Sequence, residues 1–518
     1  MRLRPIFAIL GLLLLVTSGL MLIPLGIAWL LDSTEEYPAF TLSSVITFLV
    51  GGALWLLNSG KIGELRAREA FGVVGLSWLS VSFFGALPFW FAPSGIPSLL
   101  DACFETMSGF TTTGATILTD IEALTPGLLF WRNLTQWFGG MGFVLLTLAV
   151  MPLLGSGSVH MFRAEVPGPT KEKLTPRITQ TALYLWGIYT LFTVVEILLL
   201  LPELHWFDAT TVALSTLSTG GFSTYNMSIA HFNSSYVDAI VTSFMLIASV
   251  NFVLHFRFFF QGQLRAFSDG ECKFFFGVAI FAMLFVATML YNTQVFPAKI
   301  DNPEAYSTFS GCFRLASFQV ATLFSGCGFV TADFDHWPNA CRVLLAVLML
   351  IGGCAGSTTG GVKVVRFLML IKFSIREIAL LVRPQAVISL KLNNNNVERE
   401  VVARVLGFLA LWMLLFLFSV FILAFILDPG WSGSAGSVEP ESARVVSGAL
   451  EDDLLLTAFG ATLSTLGNIG PGFGGVGPLE NYADIPDAGK LLLMLLMLLG
   501  RLEIYAILIL FLPFTWRR

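Results

Sequence analysis

Four stretches decide the architecture of this chain: FETMSGFTTTGAT at 104–116, TVALSTLSTGGFST at 211–224, FQVATLFSGCGFVT at 318–331 and LTAFGATLSTLGNIG at 456–470. Each begins apolar and turns rich in Ser, Thr and Gly. Each is too short or too polar to cross a bilayer, and each lies between two long apolar runs. The unit is helix, re-entrant segment, helix, used four times, and an internal repeat of this kind dictates the fold. The expected fold class is an all-α integral membrane protein. Four pseudo-symmetric helix–pore loop–helix repeats surround one central pore, with two extra transmembrane helices at the N-terminus.

Aligning the four segments puts Gly114, Gly220, Gly328 and Gly467 in one register. The pairs before them are Thr112–Thr113, Ser218–Thr219, Gly326–Cys327 and Thr465–Leu466. Non-helical backbone at membrane depth is tolerated only where it is buried in protein or lines a water-filled cavity. Four such segments meeting on an axis offer carbonyl oxygens that replace the hydration shell of a cation. Glycine permits the positive φ that such backbone needs. One segment alone reads equally well as small-residue helix packing; four on the same side, at matching positions, do not. On this alignment Leu466 has no side-chain oxygen, and the filter is chemically unequal around its axis.

Outward from these segments the chain is apolar. Its 518 residues are 55% hydrophobic and 12% charged, about half the charge of a soluble domain. Runs of roughly 20 apolar residues, enough to span a bilayer, recur near 6–31, 39–57, 70–91, 130–152, 182–202, 237–260, 274–292, 341–371, 403–427 and 489–513. Segments 1–5, 58–69, 153–181, 255–273, 363–404 and 514–518 hold 22 of the 29 Lys and Arg, and they alternate with acidic loops. The positive-inside rule makes the basic side cytoplasmic, with both termini there and the re-entrant segments outside. Only Glu196, Arg501 and Glu503 read as charges inside spans. The six Cys form no metal-ligand pattern, and the five His (His160, His205, His231, His255 and His336) read as loop residues. GFGGVG at 472–477 satisfies a dinucleotide spacing but follows no strand. An enzyme would need acid, His or Ser/His pairs inside spans, which the sequence does not offer; nothing points to nucleic acid.

Two further features sit off the repeat pattern. Gly352, Gly353, Gly356, Gly360 and Gly361, with Ser357, Thr358 and Thr359 between the last four, occupy the eighth span. Each glycine costs a helix interior up to about 1 kcal/mol, so five within ten residues break it. Arg501 stands in an otherwise apolar final span. A charge there costs at least about 2.5–3.5 kcal/mol and marks a functional site by default. An ion pair with Glu196 or Glu503 is the plainer alternative.

TTTGAT at 111–116, STGGFST at 218–224, SGCGFVT at 325–331, LGNIGPG at 466–472, GGCAGSTTGGVKVVR at 352–366 and GRLEIYAILILFLPFTWRR at 500–518 together resemble the TrkH/KtrB superfamily of potassium transporters, closest to the TrkH branch. The resemblance implies K⁺ sites at the residues before each filter glycine, with glycine at 114 favouring K⁺ over Na⁺. A Na⁺ or poorly selective conductor is the runner-up. It implies that 352–361 is an intramembrane gate loop with Arg501 beside it. It implies a bacterial inner-membrane uptake subunit, a homodimer, and a cytoplasmic nucleotide-binding regulator of TrkA type, the nucleotide being the partner's. The basic loop Lys363–Arg404 is its candidate docking site, or a contact for anionic lipid in the surrounding bilayer. The expected units are an N-terminal helix pair at 1–60 and pore repeats at 61–160, 175–270, 271–390 and 391–518.

Overall fold

The computed structural model describes residues 2–59, 67–141, 178–293, 303–393, 395–428 and 454–511. The basic segment 153–177, His160, the acidic insert 429–453 and residues 512–518 lie outside the described residues. Among the described residues the regular structure is helical apart from a short antiparallel ribbon, Lys391–Leu392 with Asn395–Asn396.

Two N-terminal spans, Leu3–Leu30 and Tyr37–Asn58, precede the repeats. Each repeat then has an outer helix, a pore helix and an inner helix. The outer helices are Ala67–Phe91, Ile178–Leu200, Gly270–Thr293 and Arg399–Leu427. The pore helices are Leu99–Phe110, Trp206–Leu217, Phe309–Ser325 and Leu454–Gly467. The inner helices begin at Pro126, Ser235, Asn339 and Asp487. Burial sorts these layers. Arg399–Leu427 and Tyr37–Asn58 bury only 22% of their most apolar windows, as helices facing lipid tails do. The last turns of the pore helices are buried throughout.

Local signals start the central helices. Ser98 Oγ accepts from Asp101 N at 3.3 Å, and Thr308 Oγ1 accepts from Gly311 N at 3.2 Å, two N-caps. Pro126 opens the first inner helix, where its missing N–H costs nothing. The free N–H groups of Gly127 and Leu128 donate to Glu36 at 3.0 Å each. Glu36 is therefore a buried cap of the first inner helix.

Of the ten expected spans, residues 142–152 of the fourth lie outside the described residues. Among the described residues six helices are long and apolar enough to cross, seven if one bent pair counts. The difference lies in the inner helices. The second bends by 95° between Ser235–Ala248 and Phe252–Gln261. The third is interrupted from Gly352 to Lys363, and the fourth between Arg501 and Tyr505. The second break has no glycine to announce it. Asn251 makes it by capping a new helix, its Oδ1 accepting from Val253 N at 2.9 Å. His255 then donates to the Ile247 carbonyl at 3.1 Å, which also accepts from Val250 N at 3.2 Å. The expectation of loop histidines fails here: His255 is a buried helix residue.

Candidate functional site

All four pore helices end in the same way. Thr113 N, Gly220 N, Cys327 N and Ile469 N donate to Ser108 O, Ser215 O, Thr322 O and Ser464 O at 2.8, 2.9, 2.8 and 3.0 Å. One residue earlier, Thr112 N, Thr219 N, Gly326 N and Asn468 N donate to Gly109 O, Thr216 O, Leu323 O and Thr465 O at 3.0, 3.0, 3.3 and 3.3 Å. This 6→1 and 5→2 pairing is a Schellman cap, which requires a left-handed residue. Thr112, Thr219, Gly326 and Asn468 supply it, at φ of 53°, 53°, 69° and 54°. Two residues further on, Gly114, Gly221, Gly328 and Gly470 take φ of 82°, 76°, 89° and 104°.

These caps correct the register expected from composition. Repeats one and three are as aligned, but the second ring glycine is Gly221 rather than Gly220, and the fourth is Gly470 rather than Gly467. Thr465, Leu466 and Gly467 close the last turn of the fourth pore helix. Leu466 matches Phe110, Leu217 and Phe324, which are buried packing residues. The ring members of repeat four are Asn468, Ile469 and Gly470. A glycine doublet at 220–221 and three glycines within 467–472 leave composition unable to choose; the cap chooses.

The four segments close a ring. The space a side chain would need at Gly114 is filled by Gly220 O, at Gly221 by Cys327 O, and at Gly328 by Ile469 O. At Gly470 a Cβ would lie 2.9 Å from Thr113 O, which completes the circuit. A cavity of about 110 Å³ opens on this ring, with Gly114, Gly221, Gly328 and Gly470 all in its wall. At the caps beneath the cavity, Thr112 Oγ1 and Asn468 Oδ1 are buried with no hydrogen-bond partner among the described residues. Carbonyl, hydroxyl and amide oxygens around an axis replace water about a small cation. The pore helices point their negative dipole ends at the same place. Among the described residues no group of three or more His, Cys, Asp or Glu forms a metal cluster.

Buried polar side chains that the sequence did not disclose hold the ring from behind. Gln136 donates to Gly220 O at 2.7 Å and accepts from Phe222 N at 3.0 Å. Arg132 pairs with Glu105 at 2.6 Å, with side-chain exposures of 1% and 0%. It also donates to Ser223 O at 2.7 Å and lies over the Phe222 ring. Glu105 accepts in addition from Thr116 Oγ1 and Ile117 N at 3.0 Å each. Asn468 Nδ2 bridges Thr113 Oγ1 and Met497 O at 2.9 Å each. On the loops above, Asp335 accepts from Gly474 N at 2.9 Å and pairs with Arg342 at 2.8 Å. Burial pushes the Asp335 carboxyl above its ordinary value.

The glycine-rich interruption lies directly against the ring. Gly360 has no room for a side chain because Gly467 O and the Asn468 side chain fill it. Thr219 Oγ1 donates to Thr358 Oγ1 at 3.3 Å. The loop is tied on every side. Cys354 N donates to Ser249 O at 2.9 Å, and Phe252 N to Gly356 O at 3.0 Å, both at the bend of the second inner helix. Glu271 accepts from Ala355 N at 2.7 Å and Val365 N at 3.2 Å. Lys363, at φ 74°, folds back to donate to Thr359 O at 2.6 Å.

Arg501 pairs with neither Glu196 nor Glu503. Its guanidinium donates to Thr358 O at 2.6 Å, Gly139 O at 2.7 Å and Gly140 O at 3.0 Å. The last two are end carbonyls of the first inner helix, where a cation is favoured. Glu503 pairs with Arg366 at 2.6 Å instead. Arg501 thus joins repeats one, three and four at the loop. Nor are Glu196, Arg501 and Glu503 the only charges in the helical bundle. Glu69, Glu105, Arg132, Glu271, Lys363, Arg366 and Lys490 are also buried, and a sequence reading that assigns them to loops or helix ends misses them.

A closed ring of four re-entrant segments inside a multi-pass helical bundle defines a membrane cation transporter. The chain matches the family TrkH, cation transport protein, over residues 36–432 and 442–517. It is 37% identical to the Trk system potassium uptake protein TrkH of Salmonella typhimurium and 38% identical to that of Halomonas elongata, over the full length of each chain. It is 32% identical to the Trk system potassium uptake protein TrkG of Escherichia coli, over 98% of this chain and 97% of that one. The structure superposes on the crystal structure of the potassium transporter TrkH from Vibrio parahaemolyticus with a TM-score of 0.83 and 34% identity, covering all of both chains. The chain belongs to the TrkH family of cation transport proteins and is not an enzyme.

Proposed function

We propose that this chain takes up K⁺ across a bacterial inner membrane, its termini on the cytoplasmic side. The observation that carries the reading is the closed ring at Gly114, Gly221, Gly328 and Gly470, and the ion is the one its potassium-transporting relatives are named for. K⁺ sheds water against the oxygens of residues 112–114, 219–221, 326–328 and 468–470. It then meets the loop Gly352–Lys363, which blocks the path while Arg501 holds Thr358. Arg501 also repels a cation arriving at that level. Opening requires the loop to leave Thr219, Gly467 and Arg501 together. A cytoplasmic nucleotide-binding regulator of TrkA type, acting on a homodimer through Lys363–Arg404, supplies the energy difference between closed and open states; a ligand shifts such an equilibrium only by its differential affinity for the two.

A less selective reading has one observation in its favour. The residue before each ring glycine is Thr113, Gly220, Cys327 and Ile469, four different side chains, and only their backbone is equivalent around the axis. One experiment separates the readings: rescue of a K⁺-uptake-deficient cell at low K⁺, with the regulator present, for the native chain and for Gly114→Ser. Rescue and Rb⁺ uptake by the native chain, with K⁺ preference reduced in the variant, is the expected result. No rescue and no Rb⁺ uptake by the native chain would defeat the assignment.

A further inference from the structure

A second cavity lies away from the pore, on the side of repeats two and three. Its volume is about 590 Å³, within the roughly 300–1,000 Å³ typical of ligand pockets. The walls are Phe192 of one outer helix, Phe276, Gly277 and Ile280 of the next, and Phe258 and Phe259 beyond the bend of the second inner helix. Water finds little to bond there, since away from Lys273 at the rim the lining offers only His255, which already donates to Ile247 O, and the weakly polar Cys272 thiol. Phe259 and Ile280 are 53% and 56% exposed, so the hollow opens where the outer helices face lipid. Gly277 is part of its shape: a Cβ there meets nothing within 4 Å. The rim differs in character from the walls. Lys273 lines the cavity and is exposed, and Arg265 is exposed in the segment leading to it. Both belong to a loop that the positive-inside rule places in the cytoplasm, the side where anionic lipid attracts Lys and Arg.

We propose that this cavity binds a single anionic phospholipid, one acyl chain among Phe192, Phe259 and Phe276 and the headgroup on Lys273. An apolar hollow facing hydrocarbon is filled by hydrocarbon, and the charge at its mouth selects which lipid provides it. The occupant lies against Ile247 and Val250, next to the bend that holds the glycine-rich loop through Ser249 O.

The test uses the full chain in phosphatidylethanolamine vesicles doped with phosphatidylglycerol bearing a photoactivatable group in one acyl chain. The adducts are mapped by peptide mass spectrometry. Labelling concentrated within 247–280 is expected. Gly277→Trp fills the hollow and removes it. Lys273→Gln lowers it about five-fold for phosphatidylglycerol, the worth of one juxtamembrane charge, and leaves labelling by a phosphatidylcholine probe unchanged. Labelling spread evenly along Tyr37–Asn58 and Arg399–Leu427, equal labelling by the two probes, or cross-linking of two copies through Phe259 and Ile280 would each overturn the proposal. Should Gly277→Trp fail to run as a single species, the label map and Lys273→Gln decide it. The readout involves no transported ion, so it stands or falls separately from the K⁺ assignment.

Discussion

The ring and the level beneath it follow opposite rules. At the ring, four segments with little sequence in common repeat one set of backbone bonds, with the same donors, acceptors and two positive-φ positions. Beneath it, the second, third and fourth inner helices depart from regular helix, and no two do so alike. The second bends at 249–251, the third opens into Gly352–Lys363, and the fourth turns at 502–504. The difference teaches what each level would do under the proposed function. A filter would need equivalent oxygens, and caps deliver equivalence of backbone whatever the side chains are. A gate would need one element able to occupy two positions, and a single long interruption held by its neighbours is the element that could serve.

The comparison predicts that ring-level changes abolish the fold or the path, whereas loop-level changes alter how often the path is open. The largest effect is expected at the buried ion pair. Arg132→Ala or Glu105→Ala leaves an unpaired buried charge, which costs about 3–5 kcal/mol, and a loss of monodisperse folded protein on heating would be seen for either. If both variants melt like the native chain, the ring does not depend on its support. Next, Gly470→Ala should stop Rb⁺ uptake while Gly467→Ala retains it. Alanine at Gly470 pays at least about 1 kcal/mol for a left-handed conformation and meets Thr113 O and Gly114 backbone. At Gly467 it meets chiefly the movable end of Ile469. Equal loss in the two would restore the register read from composition. At the loop, Arg501→Ala removes three hydrogen bonds from a charged donor, and losing even one is worth about ten-fold in a two-state equilibrium. Basal Rb⁺ flux without the regulator should rise by at least that factor, with the melting profile nearly unchanged; unchanged flux would remove Arg501 from the gate. The smallest effect is expected for Glu271→Gln, which keeps an oxygen for Ala355 N and loses charge assistance, raising basal flux only about two- to five-fold.

The helical class, the N-terminal pair, the four re-entrant segments and the glycine-rich break were legible because each is a composition signal on a hydrophobic background. Apolar length marks spans, and Ser, Thr and Gly between spans mark backbone that must be buried or wet. The register was legible at Gly114, where one glycine stands alone, and at Gly328, where Cys327 separates it from Gly326. The bend at Ser249–Asn251 was hidden because an Asn cap, not a glycine, makes it. Glu105 and Arg132 were hidden for another reason. They lie 27 residues apart, on either side of the first ring segment, and nothing local pairs them. A carboxylate in the middle of a pore helix was the available signal, because a charge in a buried helix requires a partner.

The circuit of glycines and carbonyls also carries information about order in time. Repeats one to two, two to three and three to four are joined by chain already made when the later repeat arrives. The seam between four and one has no such link. Its contacts include Gly470 against Thr113 O, Asn468 on Thr113, Tyr482 N on Thr116 O at 2.8 Å, Lys490 on Asp101 at 2.7 Å and Arg501 on Gly139 O at 2.7 Å. These contacts join residues more than 350 positions apart, and long-range closure of this kind is slow. During synthesis from the N-terminus the first three repeats wait as an open arc. The ring closes only after the last repeat has entered the membrane and found the first.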